Sequence, residues 1–275
     1  MKDMIQEEIR TLVLPYKHSH KGQNGRLLVI GGSRLFHAAS LWALEVASRI
    51  VDLVHYASVP ENNELVLRIK EEFRNGIVVS RDDIEAYIHE DDCILIGPGM
   101  TRDEETRSLT HQVLTEYPNK QWVIDAGALQ MLRLEDIPQH AILTPHEGEF
   151  KSLCDKSQIS NLKNQAISNE QKVKQFSKQY DCIVLLKGQV DTISNGKEVR
   201  EIEGGNEGMT KGGTGDVLAG LVAALACKND PLLAAIAGSY INKQAGDTLY
   251  ERVGPFFNAS DLAGQIPKTL HDLFF

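Results

Sequence analysis

Short runs of uninterrupted apolar residues recur along the chain, and each ends in glycine, proline or a polar residue. They are RLLVIGG (26–32), DLVHYASV (52–59), CILIGPG (93–99), QWVIDAG (121–127), AILTPH (141–146) and CIVLLKG (182–188). Continuous rather than alternating hydrophobicity fits parallel strands buried on both faces. Between the runs lie segments of helical spacing. HAASLWALEVASRI (37–50) sets Leu41, Leu44, Ala47 and Ile50 on related faces, and 103–117 and 169–180 read as further helices. This alternation of strand and helix predicts a doubly wound α/β sheet.

The last third reads differently. DTISNGKEVREIEG (191–204) predicts a β-hairpin about Asn195-Gly196, a strong turn dipeptide. A glycine-rich stretch follows, then three helical segments at 215–227, 231–250 and 259–272, with Pro231 at the first turn of the second. The most polar stretch, 155–171, reads as a surface excursion rather than a boundary, so residues 1–275 are expected to form one domain.

Composition narrows the function. The chain has 275 residues, 42% hydrophobic and 24% charged, ordinary values for a globular protein. A net charge of -9 and the lack of a basic stripe argue against a nucleic-acid partner. Cys93, Cys154, Cys182 and Cys227 form no C-x-x-C pair and read as reduced thiols. The charged, amphipathic N-terminus is not a signal peptide, and no apolar run reaches membrane-spanning length. The expected location is the cytoplasm.

In open parallel sheets ligands sit at the carboxyl ends of strands. Those ends carry Gly31-Gly32-Ser33, Gly97-Pro98-Gly99, Asp125-Ala126-Gly127, Thr144-Pro145-His146 and Lys187-Gly188. Each alone reads as a turn; together they point to a site. The decisive stretch is NEGMTKGGTGDVLAGLVAALA (206–226), which crowds Gly208, Gly212, Gly213 and Gly215 around Asp216. Glycines let backbone N–H groups face a ligand, and a helix starting near Gly215 adds unsatisfied amides and its positive end. The result is an anion hole suited to a transferring phosphoryl group. Thr214 can cap that helix or donate a hydroxyl bond. Lys211 precedes the Gly-Gly pair, so this is not a Walker loop, and Leu218 excludes G-x-G-x-x-G.

This block resembles the N-x-G-M-x-x-G-G-T-G-D-V-L-x-G signature of ADP/ATP-dependent NAD(P)H-hydrate dehydratases, members of the ribokinase-like superfamily. KGQNGRLLVIGGS (21–33), IGPGM (96–100), VIDAGAL (123–129), LTPHEGEF (143–150) and VLLKG (184–188) look like the family's other blocks in the same order. The resemblance implies a three-layer α/β/α fold with a mostly parallel central sheet; 275 residues are expected to leave no room for the epimerase domain that some family members carry. The resemblance also implies a repair reaction. A phosphoryl group from ADP or ATP activates the hydroxyl of hydrated NADH or NADPH (NADHX, NADPHX), and phosphate leaves to restore the reduced cofactor. Asp216 would be the base, and the amides of Gly213, Thr214 and Gly215 would hold the phosphoryl. Lys187, Gly188, Gln189, Val190 and Asp191 match the nucleotide-contacting segment, together with Gly215. Ala39, Gly99, His146 and Asp216 match positions that contact the hydrate. Glu149 sits where the superfamily places an acid that organises Mg2+, through water. A homo-oligomer, a homotetramer by resemblance, is implied.

Other readings stand beside these. A kinase for a small hydroxymethyl alcohol would use the same aspartate and anion hole, and a nucleotide sensor would need the fold without the base. By itself His146 reads as a helix cap, and Asp125 either orients a ligand or closes a strand. Trp42 reads as core, Met209 as packing, and His18 and His20 as surface histidines. Two departures from the family fall on the substrate side. Ala38-Ala39 replace a usual Gly-Ala, and RIVDLVHYA (49–57) replaces a glycine-containing run.

Overall fold

Leu27 and Val29 face one side of the sheet while Leu28 and Ile30, alternating with them, face the other, and all four are fully buried. The same division holds along the neighbouring strands: Cys93 and Leu95 against Ile94 and Ile96, Val123 against Trp122 and Ile124. That is why the strands show no polar alternation in sequence. The computed structural model describes residues 2–157, 159 and 167–275.

Nine strands form one sheet: β1 (Arg26–Ile30), β2 (Leu53–Ala57), β3 (Ile77–Val79), β4 (Cys93–Ile96), β5 (Gln121–Ile124), β6 (Ile142–Leu143), β7 (Ile183–Leu186), β8 (Asp191–Ser194) and β9 (Val199–Ile202). Their order is β3-β2-β1-β4-β5-β6-β7-β8-β9. Pairing is parallel from β3 through β7 and antiparallel for β7–β8 and β8–β9. The expected hairpin is present, with Gly196 at φ +84° in its turn.

The helices are α1 (Lys2–Ile9), α2 (His37–Ala47), α3 (Pro60–Arg68), α4 (Ile84–Glu90), α5 (Glu104–Glu116), α6 (Ala126–Met131), α7 (Glu147–Lys156), α8 (Asn169–Tyr180), α9 (Thr214–Ala226), α10 (Pro231–Val253) and α11 (Ala259–Phe274). Residues of α1, α2, α9, α10 and α11 pack on one face of the sheet, and residues of α4 through α8 on the other. The three-layer, mostly parallel architecture expected from the sequence is therefore observed. No helix of the described residues is long and apolar enough to cross a membrane.

Several elements differ from expectation. The 141–146 run contributes only Ile142 and Leu143 as regular strand; Thr144 donates its hydroxyl to Asp125, and His146 keeps an isolated parallel bridge to Lys187 before capping α7. α3, β3, α4 and α6 were not legible. All four cysteines are free and buried, as read. Of the 155–171 excursion, residues 158 and 160–166 lie outside the described residues.

Candidate active site

The strand order reverses between β1 and β4, so the loops after these two strands diverge and leave a crevice. They are laced together at its floor: the Gly32 amide donates to Pro98 O at 2.7 Å and the Gly97 amide to Ile30 O at 3.0 Å. Gly99 has φ +73°, and a Cβ there would lie 2.7 Å from Phe36 O and 3.0 Å from Ala39 Cβ, so only glycine allows this approach. A cavity of about 460 Å³ opens here, lined by Phe36, Ala39, Gly99, Arg102, Gln130 and Asp216 among others.

A second cavity, about 640 Å³, lies on the other side of the start of α9. Lys187, Gly188, Gln189, Asp191, Gly205, Thr214 and Gly215 help to line it. The two cavities meet at consecutive residues, since Gly215 lines one and Asp216 the other. A larger hollow of about 860 Å³ lies between α6 and the end of α8 and shares Gln130 with the first cavity. It holds none of the strand-end motifs apart from that contact.

The glycine stretch divides by purpose. Gly213 is the N-cap of α9 with φ +99°, and a Cβ there would collide with the Trp42 ring and stand 2.7 Å from Ala259 Cβ. Gly212, by contrast, would place a Cβ in open space, and Gly215 would meet only Lys187 Nζ at 3.4 Å. Fold and backbone angle therefore demand glycine at 213, whereas 212 and 215 leave room beside amides. The amides of Gly213 and Gly215 donate to no protein acceptor among the described residues, and that of Thr214 makes a long 3.4 Å bond to Lys211 O.

Of the two roles open to Thr214, the structure shows the donated hydroxyl bond and not the cap. Its hydroxyl donates backwards to Met209 O at 2.6 Å and is near Lys211 O at 2.9 Å, pinning the loop that carries the glycines. Trp42 packs against the core from its edge rather than inside it. It is half-buried, its indole N–H donates to Ser260 Oγ at 2.9 Å, and its ring walls Gly213.

Lys187 closes the hole from the side of β7. Its ammonium bonds Asp125 Oδ1 at 3.0 Å, and Thr144 Oγ1 donates to the same oxygen at 2.8 Å. Burial pulls the lysine pKa down, but Asp125, Glu149 and Asp216 together outweigh it and hold it above the ordinary value. Asp216 has no such partner among the described residues. Burial, reinforced by the charge of Asp125 and opposed by Lys187, pushes its pKa up to about 7. Asp125 thus orients Lys187 rather than capping α6, and the residue after it, Ala126, is held at φ +42° on the cavity wall.

His146 and Glu149 form a reciprocal cap on α7. His146 Nδ1 accepts from the Gly148 amide at 3.0 Å and the Glu149 amide at 3.3 Å, while Glu149 Oε2 accepts from the His146 amide at 2.9 Å. Glu149 Oε1 accepts from Gln130 Nε2 at 2.7 Å. Neither residue lines the two cavities, and neither does Val190. The cap reading of His146 is present in the structure.

Sequence reasoning missed Lys243. It is 5% exposed, and its Nζ donates to Gly188 O at 3.0 Å, Gln189 O at 2.9 Å and Gly204 O at 3.0 Å. It also stands 3.3 Å from Asp191 Oδ1. That carboxylate accepts from the Gly188 amide at 2.9 Å and Ser239 Oγ at 2.7 Å, yet burial pushes its pKa up. Asp191 and Lys243 therefore shape the 188–191 loop from below. Spacing along the sequence gives no sign of a lysine 55 residues away.

The departure at 49–57 starts far from the crevice but ends beside it, where Ala57 O accepts from the Gly31 amide at 3.1 Å and the Tyr56 hydroxyl bonds Ser40 Oγ at 2.7 Å. Asp52 lies before β2, at the amino ends of the strands, where it accepts from the Gly22 amide at 2.7 Å and the Asn24 amide at 3.0 Å. Among the described residues His55, Glu90 and Asp91 alone bring three possible metal-binding atoms within 4.8 Å, and Asp91 too precedes its strand. His18 and His20 are exposed and outside that cluster.

The family model for NAD(P)H-hydrate dehydratase matches residues 27–268. The chain belongs to the NAD(P)H-hydrate dehydratase family. Among its relatives, an ADP-dependent (S)-NAD(P)H-hydrate dehydratase of Nitrosopumilus maritimus is 36% identical, over 92% of this chain and 90% of that one. A bifunctional NAD(P)H-hydrate repair enzyme of Methanocaldococcus jannaschii is 33% identical over 92% of this chain. The chain spans about half the length of that relative, 49%. The dehydratase fold is shared with the crystallised ADP/ATP-dependent NAD(P)H-hydrate dehydratase of Bacillus subtilis. The TM-score is 0.81 at 23% identity, covering 98% of this chain and 97% of that one. A ribokinase-like superfamily protein of Enterococcus faecalis gives a TM-score of 0.84 at 22% identity, covering 98% and 94%.

Proposed function

We propose that this protein dehydrates (6S)-NADHX and NADPHX with ADP or ATP as phosphoryl donor, releasing AMP or ADP and phosphate. The observation that carries this reading is the meeting of two cavities at one peptide bond. On one side lie the free amide of Gly215 and the Lys187 ammonium, and on the other a carboxylate with a pKa of about 7.

In this reading the nucleotide lies along Lys187–Asp191, with its terminal phosphoryl against the amides of Gly213, Thr214 and Gly215. The hydrated nicotinamide lies over Ala39 and Gly99. Asp216 accepts the proton of the ring hydroxyl as that oxygen attacks the terminal phosphorus and the nucleotide departs. A pKa near working pH suits such a base. The ring nitrogen's lone pair then expels phosphate, and loss of a proton from the adjacent ring carbon restores the dihydropyridine. Transfer needs positioning and charge stabilisation more than covalent chemistry, which the helix end and Lys187 supply.

The donor set fits magnesium held mainly by phosphate oxygens and water. Both Glu149 oxygens already accept hydrogen bonds, so Glu149 would act through a coordinated water. The ion would neutralise charge on the nucleotide phosphates. His146, its Nδ1 engaged in the cap, would present Nε2 to the hydrate. A cytoplasmic homo-oligomer built from one such domain per chain completes the proposal.

The test is direct. Purified protein is incubated with hydrated NADH, magnesium and either ADP or ATP, and reduced-nicotinamide absorbance and free phosphate are followed. Recovery of absorbance with equal release of phosphate is expected. A stable phosphoester instead would make the protein a kinase and overturn the reading.

A further inference from the structure

The polar side chains lining the nucleotide-side cavity are nearly all committed to the protein. Lys243 donates to three carbonyls, Thr214 to Met209 O and Thr210 to Glu207 O. Asn206 accepts from the Gly208 amide at 3.0 Å and donates to Asp247 Oδ1 at 3.0 Å. Asp191 takes the Gly188 amide and Ser239.

Asn242 is the buried exception; Gln189, the other uncommitted amide in the lining, is exposed. Asn242 stands on α10 beside Lys243, is 4% exposed and lines this cavity. Its Oδ1 is buried and has no hydrogen-bond partner among the described residues. A buried polar group without a partner costs stability, so it marks a place where something else completes the bonding. The unmet need is a donor for Oδ1, and the same planar amide carries N–H donors beside it.

We propose that Asn242 reads the base of the nucleotide, pairing its amide with the 6-amino group of adenine and the adjacent ring nitrogen. Adenine presents a donor next to an acceptor on either edge, and a primary amide matches that pair in a bidentate fashion. The surroundings suit a purine. Leu218, one turn along α9 from the phosphate-facing Gly215, and Met209 give the same cavity apolar walls. This inference rests on the nucleotide reading of the cavity and adds the residue that selects the base.

The experiment compares binding of ADP and of purine riboside 5′-diphosphate, which lacks the 6-amino group, by calorimetry without hydrate. The unmodified protein is expected to bind ADP roughly ten- to a hundredfold more tightly. In Asn242→Ala and Asn242→Leu the ratio is expected to fall to about one, while binding of the purine analogue stays within a few-fold. Asn242→Leu also fills the space without a polar group, so its nucleotide-free Tm is expected to equal or exceed that of the unmodified protein. An unchanged ratio in both variants, or no preference in the unmodified protein, overturns the proposal. If ADP binds with the preference but no NADH is regenerated, the dehydratase reading fails and the assignment of Asn242 stands.

Discussion

Lys187 and Asp125 are locked together at 3.0 Å, and the pairing leaves Asp216 as the carboxylate without an ion-pair partner in the crevice. One acid is consumed in fixing the cation that faces the helix end; the other stays unpaired and only partly solvated. Its raised proton affinity follows from that inequality.

Replacing Asp216 by Asn removes the proton acceptor and little else. Turnover is expected to fall about 10²- to 10⁴-fold. Nucleotide affinity, measured by calorimetry, is expected to change little. Equal activity in the variant would remove the base from the mechanism.

The titration of Asp216 sets two opposed pH dependences. The base works deprotonated, so kcat is expected to rise with pH through about 7 and then level off. Stability runs the other way. A carboxyl whose folded pKa lies above its unfolded value holds an extra proton in the folded state between about 4 and 7, so its contribution declines as pH rises across that window. Asp216→Asn is therefore expected to melt higher than the unmodified protein at pH 8, with the gap narrower at pH 5 and closed only below about pH 4.

Three glycine variants separate folding from chemistry. Gly213→Ala meets both a left-handed backbone and the Trp42 ring, and is expected to cost about 2–4 kcal/mol in denaturant unfolding. Gly212→Ala and Gly215→Ala find space for the methyl group and are expected to fold normally. If the phosphoryl group occupies that space, both raise the KM for nucleotide or depress kcat while leaving Tm nearly unchanged.

Lys243→Met strips a buried carboxylate of its cation and three carbonyls of their donor. A loss of about 3–5 kcal/mol in stability is expected, measured by urea unfolding. Because the 188–191 loop lies on the nucleotide side, KM for ADP is expected to rise more than KM for the hydrate.

The sequence revealed those features whose cause is local. Asn195-Gly196 dictates its own turn, and the buried strands announce themselves because both faces of the sheet are covered. The start of α9 was read one residue late, since Gly213 rather than Thr214 provides the cap. α3 stayed hidden because its residues are mostly polar, and β3 and α4 because they are only three and seven residues long and partly exposed, with few positions such as Ile88 fully buried. In the site, Asp216 and Lys187 were legible from motif and place. The service of Trp42 to Gly213, of Lys243 to Gly188 and of Gln130 to Glu149 was not, for each joins elements far apart along the chain.

The division of the crevice at the Gly215–Asp216 peptide has a kinetic meaning. The two hollows share no lining residue, so neither reactant need occupy the berth of the other. Donor and acceptor can then load in either sequence before reacting in a ternary complex, and double-reciprocal plots of initial rate are expected to intersect rather than run parallel.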